Sequence, residues 1–324
     1  MLVMILDTKT AIASARVGIT LCTRTIIPSL FPFFVLSGVI NSCLLGQNLG
    51  ILRPVGRLCK IPKGAESLLL LGLFAGYPIG AQLITQAYWE GTLSKKTARR
   101  MLGFCNNAGP AFIFGMLSPL FSSLKTVWVL WAVHILSALI TGYVLPSKPM
   151  QSIGALPSAG ISFSDSLQRA IKATAGVCGW VIVFRVVLGF CNRWFLWLLP
   201  ISVQVLFSGL LELSNGCALL QNIPCEGVRF LLAGPMLSFG GLCVGMQTTS
   251  VTDGLGTGWY FPGKVLQTTF TVLFSLFLQP LLFADSFVIP PSVLIGLLIV
   301  FLLFILTGKK VVAFPRRLLY NTDN

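Results

Sequence analysis

From Thr126 to Leu145 the chain reads TVWVLWAVHILSALITGYVL, twenty residues without a Lys, Arg, Asp or Glu. A helix of that length matches the roughly 30 Å hydrocarbon core of a bilayer. In hydrocarbon only a helix or a closed barrel leaves no backbone group unpaired. Several other windows are apolar for about as long, and only 10% of all positions are charged. Soluble domains average about a quarter, so these charges are too few to cover a water-facing surface. The chain reads as an all-α polytopic membrane protein of the cytoplasmic membrane, with the lipid bilayer as its first partner. The opening MLVMILD is too short for a cleaved signal peptide, and the N-terminus is read as retained.

The formal charge of +14 does not point to nucleic acid. The cations sit in short clusters between apolar segments, as cytoplasmic loops do, not along one face of a soluble domain. The nine cysteines form no C-x-x-C pair and lie mostly inside apolar segments. They read as small hydrophobes, with metal or redox chemistry as the alternative. G-x-S-x-G, H-E-x-x-H, Walker and G-x-G-x-x-G motifs do not occur in a suitable setting. One histidine and nine acidic residues offer little for a hydrolytic centre. No catalytic residue, metal or cofactor is expected, and the chain is not read as an enzyme.

Two octapeptides organise the rest: AGPAFIFG at 108–115 and AGPMLSFG at 233–240. Each belongs to a series of the same kind and order: an apolar segment, an interrupted segment, the Ala-Gly-Pro segment and a clean span. YPIGAQLI in the first half is matched by LSNGCALL in the second, which makes the pattern an internal duplication. Residues 1–145 form one repeat, opening with an interfacial helix at 11–27. Residues 146–164, rich in Pro, Ser and Gly, form a linker, and 165–283 the second repeat. Residues 284–324 add a transmembrane helix at 289–307 and a basic tail.

Cationic clusters bound residues 66–89 on both sides and both favour the cytoplasm. The segment therefore enters and leaves on one side, turning at Gly76, Tyr77, Pro78, Ile79 and Gly80, where Gly and Pro suit a tight tip. If 203–220 is likewise re-entrant, each half has an odd number of true spans and the repeats are inverted. This places Lys9, Arg16 and Arg24 outside, or the N-terminal segment must cross or lie flat. The repeated motif predicts a helix stopped by Gly109-Pro110 and by Gly234-Pro235, restarted by Phe-Gly, with the two Gly-Pro pairs facing each other across a pseudo-two-fold axis.

Broken helices at membrane depth persist only where protein or a watery cavity surrounds them. In corresponding positions of two halves they point to a transporter's binding site. Glu212, set among leucines, is costly there unless paired or hydrated. With Ser214 and Asn215 it is a candidate site for a solute hydroxyl, a cation or a proton; the structural alternative is an ion pair with Arg185. Asn106, Asn107 and Gln247 are either ligands or caps for broken-helix backbone. Tyr77 is either a stacking platform or a packed ring. His134 reads as a helix-packing residue, and the Trp-rich run at 192–200 as an aromatic belt.

At LGLFAGYPIGAQLI, FCNNAGPAFIFG, GLLELSNG and IIPSLFPFFVLSGVI the chain resembles the YlbJ-like sporulation integral membrane proteins, which contain duplicated nucleoside-recognition (Gate) domains. The resemblance covers nearly the whole chain. Related Gate domains occur in concentrative nucleoside transporters, ferrous-iron transporters and spore maturation proteins. It implies a helical bundle with re-entrant hairpins that acts in spore formation and binds a small polar, nucleoside-like solute or an ion between its repeats. Glu212, Ser214 and Asn215 match the acidic, hydroxyl and amide pattern such transporters place at a hairpin; the first half carries no acid at Gly76 and Tyr77. The alternative is a non-transporting component that binds protein partners, either other sporulation membrane proteins or a second copy of the chain.

Overall fold

The computed structural model describes residues 2–44, 47, 49–147 and 163–283. Most of the linker read at 146–164 lies outside the described residues, as does all of the helix and tail read at 284–324. Among the described residues every regular element is a helix. Helices α1 (Leu2–Leu6) and α2 (Thr8–Leu21) lead through a π-helical turn at Cys22–Ile26 into α3 (Ile27–Leu44). The short α4 (Arg53–Leu58) precedes α5 (Glu66–Phe74) and α6 (Ile79–Trp89). Helices α7 (Lys95–Met101) and α8 (Pro110–Leu117) flank an irregular stretch at 102–109, and α9 (Leu124–Val144) completes the first half. The second half contains α10 (Phe163–Trp194), α11 (Ile201–Leu211), α12 (Leu213–Leu219), α13 (Glu226–Phe239), α14 (Gly241–Val251) and α15 (Tyr260–Leu282).

Among the described residues five helical stretches are long and apolar enough to cross a membrane: Thr8–Ile40, Leu124–Val144, Phe163–Trp194, Glu226–Val251 and Tyr260–Leu282. Their outward faces carry exposed Leu36, Val183, Val187, Val265 and Leu281. Apolar cover on this scale fits lipid, since soluble monomers keep such patches small.

The segment read as an interfacial helix does not lie apart. Residues 11–27 run on into α3, and the combined helix lies antiparallel to α10. Gly189 abuts Ser14, Gly18 abuts Ile182 and Arg185, Cys22 bonds the Cys178 carbonyl, and Gly38 abuts Ser166. As one number rises the other falls. The small residues at these crossings are what lets two long helices approach closely in a membrane.

Both interrupted segments are hairpins. A Cβ added at Gly72 or at Gly80 would fall on the same atom, the Cys105 carbonyl oxygen. On a straight helix eight residues span about 12 Å, so α5 and α6 must fold back on each other. Gly76 at the tip has φ +89°, and the Tyr77–Pro78 peptide is cis. In the second half a Cβ at Gly216 would overlap Gly209 Cα, which folds α12 back along α11 around Glu212.

Loop contacts show that the hairpins open at opposite ends of the bundle. At one end, Arg100 on α7 bonds the carbonyls of Lys60, Gly142, Leu145 and Pro146, and Lys60 Nζ bonds the Tyr143 carbonyl at 2.9 Å. The cationic side chain thus caps the C-terminal carbonyls of α9. Burial lowers the pKa of this guanidinium to about 10. The Trp259 N–H bonds the Arg99 carbonyl there, and Arg169 bonds Gln86. At the other end Ser122 bonds Glu226, Arg229 bonds the Leu120 carbonyl, and Arg193 pairs with Asp7 at 2.8 Å. The first hairpin is rooted at the Arg100 end and the second at the Glu226 end. Each half contributes three end-to-end passages and one hairpin, so the halves run in opposite senses.

Candidate functional site

The two hairpin tips meet. One cavity is lined by Gly76 and Tyr77 of the first tip, by Glu212, Leu213 and Ser214 of the second, and by Gly109 and Gln247. Measured to water centres its volume is about 40 Å³, room for about three waters. Gly240 and Gly241, with φ +80° and +81°, break the α13–α14 span between the tips. A side chain at Gly240 would strike the Tyr77 ring, and one at Gly241 the Gly209 carbonyl. Glycine suits both positions because the turn needs φ > 0 and both neighbours are already in contact.

The second Ala-Gly-Pro motif corrects the sequence expectation. Gly234 and Pro235 lie inside α13, which continues to Phe239, and the break falls at Gly240. In the first copy the irregular backbone ends at Gly109, and Pro110 starts α8, with Phe114 and Gly115 inside that helix. Proline suits a first helical position because its missing N–H has no partner to lose there. Each copy therefore breaks at a different half of the motif. The two Gly-Pro pairs do not face each other: Gly109 packs on Phe74 and Gly76, whereas Gly234 packs on Thr271 and Ser275.

Glu212, 2% exposed, caps its own hairpin. Its carboxylate accepts the Ser214 and Asn215 N–H groups at 3.0 and 2.7 Å and the Asn215 amide at 2.6 Å. It occupies the N-cap of α12, where a helix dipole favours negative charge. Arg185 makes no ion pair with it; among the described residues the ion pairs are Arg53–Glu66 and Arg193–Asp7.

The asparagines satisfy broken backbone. Asn106 accepts the Ala81 N–H at 3.3 Å and donates to Thr248 Oγ1 at 3.0 Å. Asn107 donates to the carbonyls of Gly72 and Phe104. Together they fasten the 102–109 stretch inside the first hairpin. His134 accepts the Ala108 N–H at 3.2 Å and meets Ser238 at 3.1 Å. Gln247 bonds Cys243 Sγ and lines the cavity. Tyr77 donates its hydroxyl to the Leu237 carbonyl at 3.1 Å. Pro78 and Gly80 serve the turn and the close packing on Cys105.

One residue at this centre was not anticipated. Lys264, 0% exposed, donates to Tyr77 Oη, Asn107 Oδ1 and Gln267 Oε1 at 3.3, 3.1 and 2.7 Å. Gln267 in turn bonds Asn107 and the His134 carbonyl. Lys264 belongs to none of the motifs singled out in the sequence. Helix α15 starts at Tyr260, one turn before it, and carries it inward. The available signal was Gln267, three residues on and on the same helix face.

No protein-family profile matches the chain, and no solved structure does. The chain is similar to the "Sporulation integral membrane protein YlbJ" of Bacillus subtilis (strain 168), 23% identical over 315 residues, covering 82% of this chain and 76% of that protein. Five apolar helices together with an integral membrane relative make this chain a multi-pass membrane protein with a tie to sporulation.

Proposed function

We propose that the chain is a transporter-like protein of the bacterial cytoplasmic membrane, acting in spore formation, that holds a small polar, nucleoside-like solute or an ion between two inverted Gate-like repeats. The observation that carries this reading is the meeting of two oppositely rooted hairpin tips at one cavity, where Tyr77, Glu212, Ser214 and Gln247 stand in a mostly apolar lining. A tip that reaches mid-bundle from each end can close access from that end, which is what alternation across a membrane requires. The cavity holds only a few waters in this state, so a larger solute enters when a tip withdraws. The eight Lys and Arg residues of 53–63 and 95–100 support a cytoplasmic base for the first hairpin.

A specific observation favours a second reading, a non-transporting component that binds protein partners. Both Glu212 oxygens are already spent on the hairpin's own amides, as in a purely structural cap. Uptake into vesicles decides between them, with wild type and Glu212→Gln assayed across nucleosides, metal ions and dipeptides beside sporulation of strains carrying each. Solute uptake by the wild type that Glu212→Gln reduces supports transport. If both proteins are inert and Glu212→Gln still sporulates, the transport reading fails.

A further inference from the structure

Lys264 has three ammonium protons and three oxygens around them: Tyr77 Oη, Asn107 Oδ1 and Gln267 Oε1. No donor is left over for a solute. Among the described residues no carboxylate lies within ion-pair distance of it. Its remaining support is the faces of Tyr77 and Tyr260, with ring centroids 5.1 and 6.0 Å away. A membrane-embedded cation without a counter-charge marks a functional position by default. Three structures converge on this one: the first hairpin tip, the irregular stretch and α15.

We infer that Lys264 is a proton-binding site that latches the first hairpin, which makes the proton the coupling ion of the transport proposed above. The latch follows from donor arithmetic. When the ammonium releases one proton to cavity water, the neutral amine keeps two N–H donors for three acceptors. Tyr77 Oη, at the longest distance, loses its donor. If the Tyr77 hydroxyl then turns to the amine lone pair, it forfeits the Leu237 carbonyl. One of the two bonds that hold the tip is lost either way. Tyr77 lines the cavity and accepts from the ammonium, so its hydroxyl is the step between cavity water and Lys264, which does not itself line the cavity.

Other titratable groups face Lys264: Tyr77 from the first hairpin, Cys105 from the irregular stretch, His134 from α9 and Tyr260 from α15, with Cys243 of α14 behind Tyr260. Helix α13 presents the Leu237 carbonyl and the Ser238 hydroxyl. Variants must separate these groups from Lys264.

The test is amide hydrogen exchange of the peptide covering 71–80 in the full chain in lipid nanodiscs, from about pH 5 to about pH 10, where a free lysine titrates, corrected for intrinsic exchange. The wild-type tip loses protection as pH rises, by roughly tenfold or more, the worth of one bond to a charged donor. Lys264→Arg stays protected throughout, and Lys264→Met is weakly protected at every pH. Tyr77→Phe, which keeps the ring and removes the oxygen, matches Lys264→Met and serves if that variant does not fold. A wild-type tip indifferent to pH overturns the latch. A Lys264→Met tip that titrates like wild type overturns it too, handing the effect to Tyr77, Tyr260, His134 or Cys105. The readout needs no solute, so a titrating tip in a protein that moves nothing keeps the latch and removes only the transport reading.

Discussion

The most exposed claim about the fold is that α5 and α6 close on a single atom, and two glycine substitutions test it. A Cβ at Gly72 or Gly80 would fall on the Cys105 carbonyl, a backbone atom with no rotamer to retreat into. Overpacking of this kind costs about 1–3 kcal/mol, and a backbone clash belongs at the upper end. Shifting the 102–109 stretch also strains the Asn106 bond to the Ala81 N–H and the Asn107 bond to the Gly72 carbonyl, about 1 kcal/mol each. Alanine returns about 0.9 kcal/mol of helix propensity. Gly72→Ala and Gly80→Ala should therefore each destabilise by about 4 kcal/mol, lowering the melting temperature by roughly 8 °C.

The double variant discriminates further. Once one methyl has displaced the Cys105 carbonyl, the second enters space already opened. The pair should cost little more than either single change, a coupling of about 3 kcal/mol. Gly115→Ala, with nothing within 4 Å of the added carbon, is the matched control and should be neutral or slightly stabilising. The assay is reversible unfolding of the purified chain in detergent, followed by circular dichroism. Single variants as stable as wild type, or a double variant whose cost is the plain sum, would refute the shared-contact hairpin.

Glu212→Gln should lose about 1–2 kcal/mol and Glu212→Ala about 2 kcal/mol in the same assay, because the cap of α12 loses its charge and then its acceptor. Arg53→Ala leaves the Glu66 carboxylate, 0% exposed and 2.7 Å from the guanidinium, with the Gly64 N–H alone; a loss of about 2 kcal/mol is expected, because Arg53 is partly exposed. Asn107→Leu strands Lys264, Gln267 and two carbonyls at once and should cost more than about 3 kcal/mol, visible as a failure to purify as a monodisperse protein. Cysteines at the exposed positions Lys63 and Glu90, introduced after Cys43 is replaced, should react with an impermeant reagent from the same side, and one at Lys125 from the opposite side. Labelling of 63 and 90 from opposite sides would turn the first hairpin into a true span.

The arrangement was legible in the sequence where single residues have strong local consequences. Cations flanking 66–89 forced a return to the same side, and Gly76 with Pro78 supplied the tip. Glu212 followed by Ser and Asn stood out because an acid among leucines needs a reason. What the sequence could not show was which neighbour supplied that reason. Arg185 was the cation in the preceding apolar segment, yet the hairpin's own amides satisfy the carboxylate. The two Ala-Gly-Pro copies misled for a related cause. Identical letters carry identical propensities, but a proline starts a helix or rides inside one according to the backbone before it. In the first copy that backbone is held irregular by its own Asn106 and Asn107, bonded to Ala81 and Gly72 of the first hairpin, and by His134 of α9. Lys264 escaped notice because a lysine at a span boundary looks like a loop charge until the helix start is known.

Two hairpins meet at the cavity but are fastened differently. The second tip is held from within, by a carboxylate that accepts three bonds from Ser214 and Asn215 of its own chain segment. Nothing outside the hairpin has to change for that cap to persist while the hairpin moves as a body. The first tip is held from without, by Lys264 and the Leu237 carbonyl through one tyrosine oxygen, with its arms clamped on the 102–109 stretch. Moving it breaks contacts to three other elements, one of them to a charged donor. The first hairpin is thus the one whose position a change of charge can set, and the second the one free to shift without a chemical event. On the transport proposed above, that difference would assign the roles: the controlled gate is rooted at the cationic end of the bundle, and the compliant gate at the end that carries Asp7 and Glu226.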